Sequence, residues 1–271
     1  MNAILFQVRP NNDAFYDSDY APWSRWLAGS EGADPGWDVM QYLVDYAHSQ
    51  GIQFHAWMNP YRVQNTALSK EAMLSALHDE NFAKQNPNLV IAGNYSNSVY
   101  PYILNPGEPA VKTYIRNVVK ELMNLYDVDG IHFDDYFYPY SGLSSDTQTY
   151  NTYKLPGQAI ADWRRENVND VIRGVMEDVT EHNTLYGKDI RFGVSPFGIW
   201  QSQGEGSNTS TGTSESYHDQ YADSKRWVEE GWLHYICPQV YWSFQHATAP
   251  YADVVDWWAS VVRGTGVDLV I

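Results

Sequence analysis

The sequence predicts an α/β fold, a (β/α)8 TIM barrel, on three observations. Short apolar runs of strand length alternate with amphipathic helical stretches along the chain, the pattern of βαβ units around a parallel sheet. Polar residues gather at the C-terminal end of each run, where a barrel assembles its site from several strands. The first run is followed by Asn11-Asn12-Asp13-Ala14-Phe15. An open doubly wound sheet, the competing architecture, would carry a glycine-rich phosphate loop there. A length of 271 residues suits one barrel domain, 1–271.

Six runs read as strands: 4–10 (ILFQVRP), 53–59 (QFHAWMN), 130–136 (GIHFDDY), 190–196 (IRFGVSP), 235–241 (YICPQVY) and 268–271 (DLVI). Their β-branched and aromatic content supports the assignment. Between them, 37–50 places Trp37, Met40, Leu43, Val44 and Ala47 on one helical face, with Gly51 at its C-terminal cap. Segment 109–125 opens on a first-turn proline and repeats Val111, Ile115, Val118, Val119 and Leu122. Segments 159–181, 221–230 and 250–262 have similar faces. A barrel has eight strands. With six, the first starting at residue 4 and the last cut at 271, the reading expects a barrel truncated at both ends. The polar stretch 201–216, rich in Gly, Ser and Thr, reads as a flexible loop.

Composition narrows the function. A hydrophobic fraction of 44% supports a large core. No run reaches the ~18 apolar residues of a membrane span, so none is expected. A net charge of −16, from 17 basic and 33 acidic residues, argues against a nucleic-acid partner. Solubility is the plain meaning of that acidity. The 11 Trp and 21 Tyr are more pointed, because flat rings with polar tips suit sugar faces. Cys237, the single cysteine, excludes an intramolecular disulfide and a cysteine-rich zinc site, and its apolar setting predicts an inert buried thiol. No signal peptide is legible at Met1.

The most informative segment is 129–136 (DGIHFDDY). Strand alternation puts His132 and Asp134 on one face and Phe133 and Asp135 on the other, although Asp135, at the strand end, can turn toward the same cleft. Two adjacent carboxylates at a strand end cost repulsion and desolvation, which points to catalysis. The structural alternative is that one caps a helix or binds an arginine. Glycoside hydrolysis uses two carboxyl groups, ~5–5.5 Å apart for retention and ~6.5–9.5 Å for inversion. Asp134 is read as nucleophile or charge-stabilising carboxylate. The acid stays open among Asp135, Asp13, Glu205, Glu215 and Asp219.

Substrate contacts are expected from His132 and Asp13 and at other strand ends. Arg9, following Gln7, can hold a carboxylate or an acidic sugar substituent, or make a structural ion pair. His55 and Asn59 can hydrogen-bond sugar hydroxyls, with a core histidine as the alternative for His55. Gln239 and Tyr241 share a face toward a sugar, and Trp242 offers a stacking platform. Ser195 lacks a Gly-x-Ser-x-Gly elbow and reads as a turn residue. His55, His132 and Asp134 can converge as metal ligands, but no His-x-His pair or carboxylated lysine accompanies them, so neither metal nor cofactor is expected.

Several segments together resemble the glycosyl hydrolase-like family ten of bacterial barrel proteins. They are FQVRP with DAFY (13–16), WMNPYR (57–62), DGIHFDDYFYP (129–139), FGVSPFGIW (192–200), then Tyr221-Ala222-Asp223 through Trp227, Gly231-Trp232 and PQVYW (238–242). The resemblance spans nearly the whole chain in order. It implies a TIM barrel, hydrolysis of glycosidic bonds in a polysaccharide, and export as a secreted protein or lipoprotein. For some members it implies action on peptidoglycan glycan strands stripped of their peptides. The family's usual first strand and leading signal are not in this sequence. His132-x-Asp134 has the spacing by which several retaining α-glycosidases set a basic residue before an Asp nucleophile. Chitinase-type barrels align from Asp129, but Tyr136 and His132 replace their acidic residues, which argues against substrate-assisted chemistry.

Three readings follow: a glycoside hydrolase; a non-catalytic carbohydrate-binding barrel, motivated by the lack of an obvious second acid; and a metal-dependent hydrolase of another bond. All turn on whether the side chain of residue 134 projects into a shared open mouth.

Overall fold

The computed structural model describes residues 2–143, 145–203, 206, 207, 209, 210 and 214–271. The chain runs β1 (Ala3–Arg9), α1 (Arg25–Ala28), α2 (Val39–Ser49), β2 (Gln53–Met58), β3 (Arg62–Thr66), α3 (Lys70–Ala76), α4 (Phe82–Gln85), a single 3-10 turn, β4 (Val90–Ala92) and β5 (Tyr100–Leu104). It continues through α5 (Pro109–Leu125), β6 (Gly130–Phe133), α6 (Thr147–Tyr153), α7 (Ile160–Tyr186), β7 (Arg191–Val194), α8 (Ser216–Asp219), α9 (Ser224–Glu229), β8 (Tyr235–Ile236), α10 (Tyr251–Val262) and β9 (Asp268–Leu269).

The principal sheet has six strands in the order β1-β2-β6-β7-β8-β9, and every neighbouring pair is parallel. Each new strand joins beside the previous one. That is the winding of a TIM-type barrel, without the reversal of strand order that marks a doubly wound sheet. All six predicted strands are present; β1 keeps the length of its predicted run, shifted by one residue, and the other five are shorter. Proline explains part of the shortening, because Pro196 and Pro238 lack the N–H a ladder needs. Beyond Ile236 the predicted run 235–241 keeps an isolated bridge, Phe197 to Gln239.

The helices follow their apolar faces. α5 buries Val111, Ile115, Val118, Val119 and Leu122 behind Pro109 in its first turn. α2 starts at Val39 because the Asp38 side chain accepts from the Gln41 N–H at 2.9 Å, which leaves Trp37 exposed outside it. α7 runs past residue 181 to Tyr186, where Gly187 takes a left-handed conformation with φ of 65°. Strand residues Phe54, Ala56, Met58, Ile131, Phe133, Phe192 and Val194 join side chains of α2, α5 and α7 in one core.

The sequence reading assigns no element between 60 and 108, and here the structure adds a three-stranded antiparallel sheet, in the order β3-β5-β4. Its strands have three to five residues, too short to print a clear period of two. It stands beside the C-terminal end of β2 and presents Arg62 toward the end of β6.

The other face of the main sheet is filled by rings set over glycines. His55 pairs in register with Gly130, and a Cβ on Gly130 would lie 2.4 Å from the His55 ring. Gly193 lies between His132 and Tyr235 in register, and a Cβ there would come within 2.2 Å of the Tyr235 ring. These two glycines let rings from β2 and β8 cross their neighbours and meet, because only a strand position without a side chain permits such an approach. Replacing Gly193 with Ala is expected to cost about 1–3 kcal/mol by overpacking. The check is thermal denaturation, and a midpoint equal to the parent's would show that Tyr235 does not depend on that gap.

Candidate active site

The site begins where β6 ends. After Phe133 the chain turns sharply: the Tyr136 N–H donates to Asp134 Oδ1 at 3.3 Å, and the Phe137 N–H donates to the Asp135 carbonyl at 3.0 Å. Asp and Asn favour such turns because their side chains accept from the backbone two residues on. The turn ends the strand alternation. Asp135, opposite Asp134 by alternation but at the strand end, is turned by it into the same cleft. This cleft has a volume of about 630 Å³ and its walls include Trp57, His132, Asp134, Asp135, Tyr140 and Ser195.

Both carboxyl groups are deeply set, with Asp134 3% and Asp135 4% exposed. Burial, reinforced by the neighbouring Asp135, pushes Asp134 up to about 7. Arg62, the Trp57 Nε1–H donating to Oδ2 at 3.1 Å, and the Tyr136 N–H pull the other way and lose. Asp135 is also raised by burial, against the Tyr140 hydroxyl that donates to Oδ2 at 2.8 Å. Two raised carboxyls side by side titrate as a unit, and the pair holds a proton near neutrality.

Beneath them lies an uncharged polar network. His132 Nδ1 is 3.0 Å and His55 Nδ1 is 2.9 Å from the Tyr235 hydroxyl, and His132 Nε2 is 3.0 Å from Ser195 Oγ. Burial, with His55 close by, drives His132 down to about 3, and burial lowers His55 as well. His132 is therefore neutral and is not the basic partner that its spacing from Asp134 suggests. The positive charge near the pair is Arg62, which sits inside the recognised WMNPYR segment but has no role assigned from sequence. Cys237 is not sealed in the core: it lines the cleft, and burial raises its thiol.

The remaining predicted residues divide. Gln239 and Tyr241 line the main cleft, Tyr241 being 84% exposed. Both also line an adjoining hollow of about 570 Å³ with Trp242. Arg9, Asp13, His55 and Asn59 are buried and none lines the cleft. Arg9 donates to the Asn59 carbonyl, to Tyr114 and, closely, to Asn12. Asn59 donates to the Pro10 carbonyl, and Asp13 accepts from Ser24 and the Asn11 N–H. Packing at the foot of the β1 and β2 loops thus takes all of these but His55, which joins the ring network. Of the other carboxyls considered as acids, Glu215 accepts from Ser202, and Asp219 accepts from the Glu215 N–H. Glu205 lies outside the described residues.

The model of the Glycosyl hydrolase-like 10 family matches residues 1–271. The chain belongs to that family. Among curated relatives, it is 37% identical over 280 residues to glycosyl hydrolase YngK of Bacillus subtilis strain 168, with 100% of this chain and 52% of the relative covered. It is 36% identical over 277 residues to glycosyl hydrolase DigH of Escherichia coli K12, with 100% and 61% covered. The chain thus spans about half to three-fifths of these relatives. Among solved structures, a Paenibacillus cycloisomaltooligosaccharide glucanotransferase superposes with a TM-score of 0.57 at 15% identity, over 99% of this chain and 33% of that one. That likeness supports the TIM-barrel type of fold and nothing finer.

In this Glycosyl hydrolase-like 10 chain, the cleft carboxyls trade stability for position. Asp134 is raised in the folded state, so its contribution is most favourable below the unfolded value and is lost as pH rises through about 7. Asp134→Asn is therefore expected to raise the melting temperature at pH 8, by ~2–4 °C for each kcal/mol relieved, with the gain shrinking toward pH 4. Thermal melts of both proteins across pH 4–8 check this, and a variant less stable than the parent at pH 8 contradicts it.

Proposed function

We propose that this chain is a glycoside hydrolase that cleaves O-glycosidic bonds of a polysaccharide, using Asp134 and Asp135. The observation that carries the reading is the carboxyl pair: two buried neighbours facing one open, aromatic-walled cleft, with Asp134 raised to about 7. Glycosidic cleavage needs one carboxyl to protonate the departing oxygen and one to act as base, nucleophile or charge stabiliser. Burial puts the shared proton on Asp134, which leaves Asp135 ionised. Asp134 then supplies the acid and Asp135 the negative charge, a reversal of the role first read for Asp134. Tyr140, Phe197 and Tyr241 offer aromatic surface to the sugar chain. Gln239, Ser195 and, beside the cleft, Trp242 add polar and aromatic contacts.

Membership of the family and the aromatic character of the site favour a bacterial or dietary polysaccharide. Peptidoglycan glycan strands without peptides are the first substrate to test, which would place the protein outside the cytoplasm, secreted or lipid-anchored.

Asp134→Asn is expected to lower turnover of a cleaved glycan by about 10²–10⁴-fold, with binding retained. Reducing-end release and mass spectrometry of products measure it. Undiminished cleavage in the variant would remove Asp134 from the mechanism, and binding without products in the parent would favour a non-catalytic glycan-binding barrel. For the acid role the sign is fixed: activity should fall as pH rises through about 7, and fall again in acid as Asp135 takes up a proton. A profile that instead rises through 7 would return Asp134 to the ionised role.

A further inference from the structure

Beside the cleft lies a second, smaller pocket of about 180 Å³. Tyr136 and Tyr140, stacked at 5.3 Å between centroids and 17° between planes, line both and so form the wall between them. Its far side comes from the three-stranded sheet and its turns, with Arg62, Asn65, Ser96 and Asn97. A pocket this size is smaller than a typical whole-ligand site and fits a ring edge or a substituent.

Arg62 is the unexplained group. Its guanidinium lies 3.4 Å over the Tyr136 ring centroid. Among the described residues no hydrogen bond or ion pair engages it, and its buried Nη2 has no partner. Arg164 and Arg165 each hold an aspartate, Asp146 and Asp162, at 2.6 and 2.5 Å. The pocket that Arg62 lines holds no carboxylate among the described residues. An unpaired polar atom out of water costs free energy that a ligand can recover. A planar guanidinium with donors free matches a carboxylate in two parallel hydrogen bonds. The cation–π contact fixes the plane of Arg62 but uses none of its in-plane donors.

We propose that Arg62 and the pocket behind Tyr136 form a subsite for a sugar carrying a carboxylate, adjoining the unit cleaved at Asp134 and Asp135. Asn65, Ser96 and Asn97 supply neutral hydrogen-bonding groups around the anion. The proposal rests on the glycan-cleaving reading above and narrows it to acidic polysaccharides. Two chemistries present such a group, a uronic acid and a lactyl ether on an amino sugar.

The test is a ligand-observed NMR titration at pH 7 with two probe pairs, D-glucuronate against D-glucose and N-acetylmuramate against N-acetylglucosamine. The parent, Arg62→Lys and Arg62→Gln are compared. The parent is expected to bind the acid of at least one pair about tenfold more tightly than its neutral partner, as one charge-assisted contact gives. Arg62→Gln should lose that preference, and Arg62→Lys should keep part of it. The pair that shows the preference identifies the source of the carboxylate. Equal affinity for acid and neutral probes in the parent, weak or absent binding of both included, overturns the proposal, as does a preference that survives Arg62→Gln. Strand cleavage is scored separately, so a parent that prefers the acid probe yet cleaves no glycan sinks only the hydrolase reading.

Discussion

The structure depends on burying two adjacent carboxyl groups at the mouth of a parallel sheet. Water would hold both ionised at little cost, whereas the end of β6 withdraws them and sets them side by side. The protein compensates with uncharged groups, an indole N–H, the backbone N–H groups of Tyr136 and Asp135, a phenol and the Gln220 amide, with Arg62 at a distance. None is a close ion pair, so the pair keeps a proton that ordinary aspartates release. A buried guanidinium pairing such as Arg164 with Asp146 is the contrast, since both charges there are satisfied and nothing remains for chemistry.

What holds the pair in place is a floor of rings over glycines. His55, His132 and Tyr235 come from three strands and meet only because Gly130 and Gly193 have no side chain in the way. Interior packing of this kind is stiff, because rotation of any one ring must displace another. Trp57, edge-on to His132 at 6.5 Å, carries that stiffness up to Asp134 through its indole N–H. A carboxyl group set to about the right position by a floor of rings loses little entropy when substrate arrives.

Much of this was legible in the sequence. Six apolar runs gave six strands in their order, Pro109–Leu125 gave a helix with those bounds, and the doublet after His132-Phe133 marked the site. The losses have physical reasons. Strand alternation alone did not decide where Asp135 faces; the backbone turn immediately after Phe133 does. Arg9, Asp13 and Asn59 look like strand-end ligands, but whether a polar side chain faces a cleft or a neighbouring loop depends on contacts distant in sequence, such as Arg9 with Tyr114. Arg62 was hidden for the same reason: it sits on a five-residue strand whose partner, Tyr100–Leu104, is remote in sequence.

The ring network also has a direction. The Tyr235 hydroxyl has one hydrogen and two imidazole nitrogens facing it, so it donates to one ring and accepts from the other. If it donated to His55, that ring would carry its hydrogen on Nε2, a buried atom without a partner. The opposite order leaves only a bare lone pair there, the lesser cost. His55 then donates to Tyr235, Tyr235 to His132, and His132 through Nε2 to Ser195. The series ends with the Ser195 oxygen already accepting, which frees its own hydrogen to point outward as a donor at the floor of the mouth.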